Sequence, residues 1–142
     1  MRVLDDAAVR PDLFVWRGPV PLADLEAWIR EKELRVPNDL VHFWEVTGGG
    51  EVFETESLLG PGHVTEPSDD VAAVTRAHRE RGLPADYIVF HLGLGGLSAV
   101  SSRDGRYVSL DENTYTVAAT FSSFDDWYLS LLRREYADRY RM

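Results

Sequence analysis

Four histidines, His42, His63, His78 and His91, are the side chains best suited to proton transfer or metal binding, and they lie 13 to 21 residues apart. None forms the His-x-x-x-His spacing that places two imidazoles on one helix face for a zinc ion. His42 falls in a predicted helix beside core positions and His91 in a predicted strand, so both read as structural. His63 falls in a loop near several carboxylates, at a spacing too loose to define a metal centre. Cysteine is absent, which excludes disulfides, thiolate ligands and thiol nucleophiles. A serine nucleophile would be signalled by a Gly-x-Ser-x-Gly elbow, and none is present. Triad members can still meet only in three dimensions. No metal and no cofactor is expected.

The glycine-rich stretches do not read as phosphate cradles. Gly93-Leu94-Gly95-Gly96 runs into Leu97-Ser98-Ala99-Val100, which is strand-like, whereas a phosphate loop must open a helix whose N–H groups hold the anion. A hairpin or bulge is expected there. Gly48-Gly49-Gly50 follows a predicted helix and reads as its stop. The acid pairs Asp69-Asp70 and Asp125-Asp126 fall at predicted helix starts, where they complement the dipole.

The charge layout carries more information. The chain has 142 residues and a formal charge of 15 − 24 = −9. From Val36 to Thr75 there are eight acids, Asp39, Glu45, Glu51, Glu54, Glu56, Glu66, Asp69 and Asp70, and no Lys or Arg. Such a balance disfavours direct binding to nucleic acid or to anionic membranes, because like charges repel. It suits either a solvated acidic face or a docking surface for a basic partner, which opposed fields would steer into contact. The candidate partner-binding residues are Glu51, Glu54, Glu56, Glu66, Asp69 and Asp70. On a continuous strand, Glu51 would face away from Glu54 and Glu56, so they point outward together only if a loop intervenes.

The elements that must position these groups follow from periodicity. A helix from Leu22 to about Glu33 carries Leu22, Leu25, Trp28 and Ile29 as one stripe, with Pro21 at its start. A second runs from Asn38 to Thr47, with Leu40, Val41, Phe43, Trp44 and Thr47 on one broad face. A strand is predicted over Glu51-Val52-Phe53-Glu54-Thr55 and a loop from Leu58 to Thr65. A third helix is capped by Ser68, has Asp69 and Asp70 in its first turn and ends at Gly82. Strands over 87–92, 97–101, 107–110 and 115–119 follow, with a turn at Arg103-Asp104-Gly105-Arg106. The last helix begins near Ser123 and buries Phe124, Trp127, Tyr128, Leu131, Leu132 and Tyr136. The first twenty residues are ambiguous, with Leu13 to Trp16 a possible strand. The expected fold is an α+β single domain over 1–142, an antiparallel sheet against about four helices. Nothing resembles a signal peptide or a membrane span, so a cytoplasmic protein is expected. Monomer and dimer both remain open.

Several of these segments together are similar to a known family. Val36-Pro37-Asn38-Asp39-Leu40, Phe43-Trp44 and Thr47-Gly48-Gly49-Gly50 resemble the N-terminal signature of the SUKH superfamily, the SMI/KNR-type domains. Ile88-Val89-Phe90, Gly93 and Gly96, Asp104-Gly105, Val108-Ser109-Leu110-Asp111 and Phe121-Ser122-Ser123-Phe124-Asp125-Asp126-Trp127 continue the likeness over about residues 20 to 132. The resemblance implies an α+β fold and, in bacteria, most often an immunity protein without catalysis of its own. Such a protein binds a basic toxin effector domain, commonly a nuclease or a nucleic-acid deaminase. A regulatory adaptor for an endogenous cellular partner is the alternative. The resemblance carries over no catalytic residues.

Overall fold

The computed structural model describes residues 1–62 and 69–142. Its centre is a seven-stranded antiparallel sheet whose strands lie side by side in chain order. They are β1 (Phe14–Trp16), β2 (Gly50–Val52), β3 (Glu56–Leu58), β4 (Tyr87–Gly93), β5 (Gly96–Ser101), β6 (Tyr107–Leu110) and β7 (Val117–Phe121). The helices are α1 (Arg2–Val9), α2 (Leu22–Glu31), α3 (Asn38–Thr47), α4 (Val71–Glu80), α5 (Phe124–Trp127) and α6 (Arg133–Tyr140). A π turn over Tyr128–Leu132 joins the last two.

The expected helices form where the apolar stripes placed them. The α3 helix ends on Gly48 at φ 69°, a left-handed closure. Ser123 caps α5, accepting the Asp126 N–H. Helix α1 emerges from the segment that periodicity left ambiguous. It docks through buried Val3 and through Asp6, which accepts the Tyr128 hydroxyl at 2.6 Å and pairs with Arg133 at 2.8 Å.

Several expectations are corrected. The strand over 51–55 is instead a hairpin: β2 ends at Val52, and Val52 faces Glu56 across a turn of Phe53, Glu54 and Thr55. Phe53 and Glu54 both take positive φ, 53° and 69°, which reverses the chain. Leu58 therefore belongs to β3, not to a loop. The third helix is capped by Asp70, whose carboxylate accepts the Ala72 N–H at 2.9 Å; Ser68 lies outside the described residues, as do His63 and Glu66. His42 is exposed, not packed in the core. Strand β7 also begins two residues later than the expected start at Tyr115.

A bulge tunes the core. Val89 pairs with Ala99 and His91 with Ser98, which leaves Phe90 as the extra residue. Phe90 and His91 can then both turn toward Trp127, with ring centroids 4.7 and 5.2 Å away. Phe43 stacks on Phe124 at 4.9 Å, and Trp28 meets Trp44 edge-on at 5.9 Å. These contacts join α2, α3 and α5 to the sheet. Beyond the end of β3, α4 lies along β4, and Thr75 Oγ1 accepts the Val89 N–H at 3.0 Å.

Asp39 ties three elements together. Its carboxylate accepts the Leu40 N–H at 2.9 Å and the Phe124 N–H at 2.8 Å, the latter an orphan donor at the start of α5. It also accepts the Tyr107 hydroxyl. Burial and this bond both push the Tyr107 phenol up, so it stays protonated. Replacing Asp39 with Ala is expected to cost about 2 kcal/mol or more, since three donors lose their acceptor. Urea denaturation measures this, and Asp39→Asn should recover part of the loss.

Candidate functional site

The tertiary structure brings together a set of polar side chains that no short motif announces. Glu56, His91 and Ser98 come from β3, β4 and β5. Their register follows from the hairpin after β4, a two-residue Leu94-Gly95 connection that pairs Gly93 with Gly96 and, two steps further back, His91 with Ser98. The adjoining pair, Leu58 with His91, brings β3 alongside. All three side chains are buried, Glu56 at 2% exposure and Ser98 at 1%.

The hydrogen bonds form one continuous chain. Trp127 Nε1–H can only donate, and it donates to Ser98 Oγ at 2.9 Å. Ser98 Oγ lies 2.9 Å from His91 Nδ1, and His91 Nε2 lies 2.9 Å from Glu56 Oε1. A carboxylate only accepts, so His91 Nε2 carries a proton and donates to Glu56, while Nδ1 and the Ser98 hydroxyl share the bond between them. Glu56 Oε2 accepts the Tyr136 hydroxyl at 2.9 Å and the Leu94 N–H at 3.2 Å. Thr55 completes the chain, 2.9 Å from the Tyr136 oxygen. Burial pushes the Glu56 carboxyl up. The bond and charge of His91, then Tyr136 and the Leu94 N–H, outweigh it and hold Glu56 below the ordinary carboxylate range.

Serine, histidine and glutamate in line are the parts of a nucleophilic relay, but this one is closed. The serine oxygen is occupied by the indole, and Ser98 is almost wholly buried. The cavity beside the chain measures about 80 Å³, space for two or three waters at roughly 30 Å³ each. A substrate carbonyl cannot reach Ser98 in this conformation. The arrangement satisfies every donor and acceptor it buries, which makes it a specifier of the fold. Among the described residues, no group of three or more His, Cys, Asp or Glu is placed to hold a metal ion. No helix there is long and apolar enough to cross a membrane.

The six acids expected to form one docking surface are dispersed. Glu56 is corrected outright: at 2% exposure, with its carboxylate committed to three donors, it cannot meet a partner. Asp69 pairs with Arg17 at 2.9 Å, a cation that comes from outside the acidic segment. Asp70 is taken up by its helix cap, and Glu66 lies outside the described residues. Glu51 and Glu54 are exposed. Glu51 stands on β2 between Val15 of β1 and Ser57 of β3, and Val15 is 65% exposed. Glu54 sits at the hairpin turn, 3.2 Å from the Tyr140 hydroxyl that bonds it.

Sequence reasoning missed the Glu56–His91–Ser98 chain because its members are 7 and 35 residues apart. The signal was present in the hairpin, since counting outward from Leu94-Gly95 pairs His91 with Ser98. Glu56 had no comparable signal. No individual curated protein matches the sequence. The model of the SMI1 / KNR4 family (SUKH-1), however, matches residues 19–130, which takes in the chain from just after β1 to the π turn, including α3 with its glycine stop and all three members of the buried chain. This protein belongs to that family.

Proposed function

We propose that this protein is a cytoplasmic immunity protein that binds the effector domain of a polymorphic toxin and blocks it by occupying its surface, with no catalysis of its own. Membership of the SMI1 / KNR4 family (SUKH-1) carries the reading. The net charge of −9 supports a basic partner, as nucleases and nucleic-acid deaminases need basic surfaces to hold their substrate. Val15 and Glu51 on the sheet face, with Glu54 at the adjoining turn, are the proposed contacts. Val15 supplies apolar area, and the two carboxylates steer a cationic surface toward it.

Two experiments test this. Expression of a candidate toxin domain encoded beside this gene should kill cells alone and spare them when this protein is co-expressed; death in both cases rejects the pairing. With a cognate pair in hand, Glu51→Lys combined with Glu54→Lys should slow association about tenfold at low salt and much less at high salt. An unchanged rate at low salt would move the docking surface elsewhere.

A further inference from the structure

The two acids proposed to meet a partner ride on one small hairpin, β2 and β3 with the turn between them. Each strand is three residues long, and a two-stranded ribbon of that length does not hold its own shape. Its turn is also unfavourable locally. Phe53 and Glu54 both sit in the left-handed region that favours glycine, and neither is Asn, Asp or Gly, the residues that accept it most readily.

What holds the turn lies on α6. The Tyr136 ring stacks on Phe53 at a centroid distance of 4.9 Å. Its hydroxyl bonds Thr55 and Glu56, each at 2.9 Å. Tyr140 also stacks on Phe53, at 5.7 Å, and bonds Glu54. Helix α6 therefore touches each residue from Phe53 to Glu56. Of the two tyrosines, Tyr136 is the one that bonds the buried chain running through Glu56 and His91 to Ser98 and Trp127, and it reinforces the longer 3.5 Å bond from Thr55 Oγ1 to Glu56 Oε2.

We infer that Tyr136 is the positioning residue of the docking hairpin: its hydroxyl, bonded to Thr55 and Glu56, fixes the turn that presents Glu51 and Glu54. The inference rests on the docking reading above. A hairpin held in its bound shape loses less freedom on association, so the tie serves affinity as well as stability.

Tyr136→Phe separates these roles, because it keeps the ring stack on Phe53 and removes only the hydroxyl. Hydrogen exchange on the full chain is the readout. Amides from Phe53 to Leu58 should exchange roughly tenfold faster in Tyr136→Phe, measured against β5 amides of the same molecule. Ile29→Ala, on α2, should lower protection without singling out the hairpin. Exchange that changes in step across hairpin and β5, or not at all, overturns the inference. If Tyr136→Phe does not fold, Thr55→Ala breaks the same link from its exposed side and is read in the same way. Against a cognate partner, Tyr136→Phe should slow association with the charges of Glu51 and Glu54 intact. Charge reversal distinguishes the two failures. If reversal leaves binding intact while Tyr136→Phe loosens the hairpin, the docking surface is wrong and the tie stands. If reversal weakens binding while hairpin exchange is unchanged, the tie is wrong and the docking surface stands.

Discussion

Glu56→Ala should lower the stability of this protein by about 3–5 kcal/mol, a fall in Tm of roughly 10–15 °C for a chain of this size. The substitution takes the acceptor from His91 Nε2–H, the Tyr136 hydroxyl and the Leu94 N–H, the first two of them buried. It also leaves a void beside the existing cavity. Urea and thermal denaturation measure the loss; a change under 1 kcal/mol would mean that the chain is satisfied by water instead. Glu56→Gln keeps the volume but turns an amide donor toward donors, and should cost about 1–3 kcal/mol. The pH dependence has a definite sign. Because Glu56 is held below its ordinary value in the folded state, its contribution is complete above the unfolded value, about 4.3, and is lost as pH falls through the lower folded value. The acid limb of the stability curve should therefore be shallower in Glu56→Gln than in the parent. His78 acts in the same direction. Burial, aided by Arg81 and opposed by Glu112, holds its imidazole below the ordinary range, so acid costs stability there as well, starting below about pH 6.5.

Gly60→Ala is expected to be as damaging, by a different route. A Cβ at Gly60 would overlap the Gly48 carbonyl oxygen and lie 2.8 Å from the Gly48 carbonyl carbon. Backbone meets backbone there, so no rotamer change relieves it. Gly49 faces the same wall from the other side, where a Cβ would stand 2.6 Å from the Leu58 oxygen. Separation of the two segments would break the Trp44 Nε1–H bond to the Leu59 carbonyl, 2.9 Å, and disturb the entry to α4, where Val71 donates to the Gly60 carbonyl at 3.0 Å. The expected cost is about 3 kcal/mol or more, above the usual range for overpacking. Gly105→Ala is the control. It has nothing within 4 Å and a φ of +73°, so only the left-handed backbone is penalised, by about 1 kcal/mol. Equal losses in the two variants would show that conformation, not space, explains Gly60.

The triple glycine shows how far local reading reaches. Its role as a helix stop was legible, because a left-handed closure after an apolar stripe is a property of neighbouring residues, and Gly48 adopts it. The close approach of Gly49 and Gly60 was not legible, because it depends on a segment a dozen residues away. The acidic run shows the same division. That Val36 to Thr75 holds eight acids and no cation is read directly. That Arg17 neutralises Asp69, that Asp39 and Asp70 serve helix termini, and that Glu56 turns inward are all matters of which strands become neighbours. The misplaced strand over 51–55 was an error of period: polar and apolar residues do alternate there, but Phe53 and Glu54 leave the extended region and reverse the chain. Helix α1 was missed because eight residues show barely two turns of any stripe, and its stability comes from Asp6 against Tyr128 and Arg133 rather than from its own propensity.

The sequence by itself determined the class of fold, the major helices and the C-terminal strands, the family, and the acidic character that a partner would meet. Each of these depends on spacing within a few residues, or on totals that folding does not change. Only the tertiary structure decided which acids face water and which are spent inside, and that a serine, a histidine and a glutamate on three strands form one buried chain. Those outcomes depend on strand register and on where α6 comes to rest, and the free energy that selects them comes from contacts between residues 35 to more than 120 positions apart.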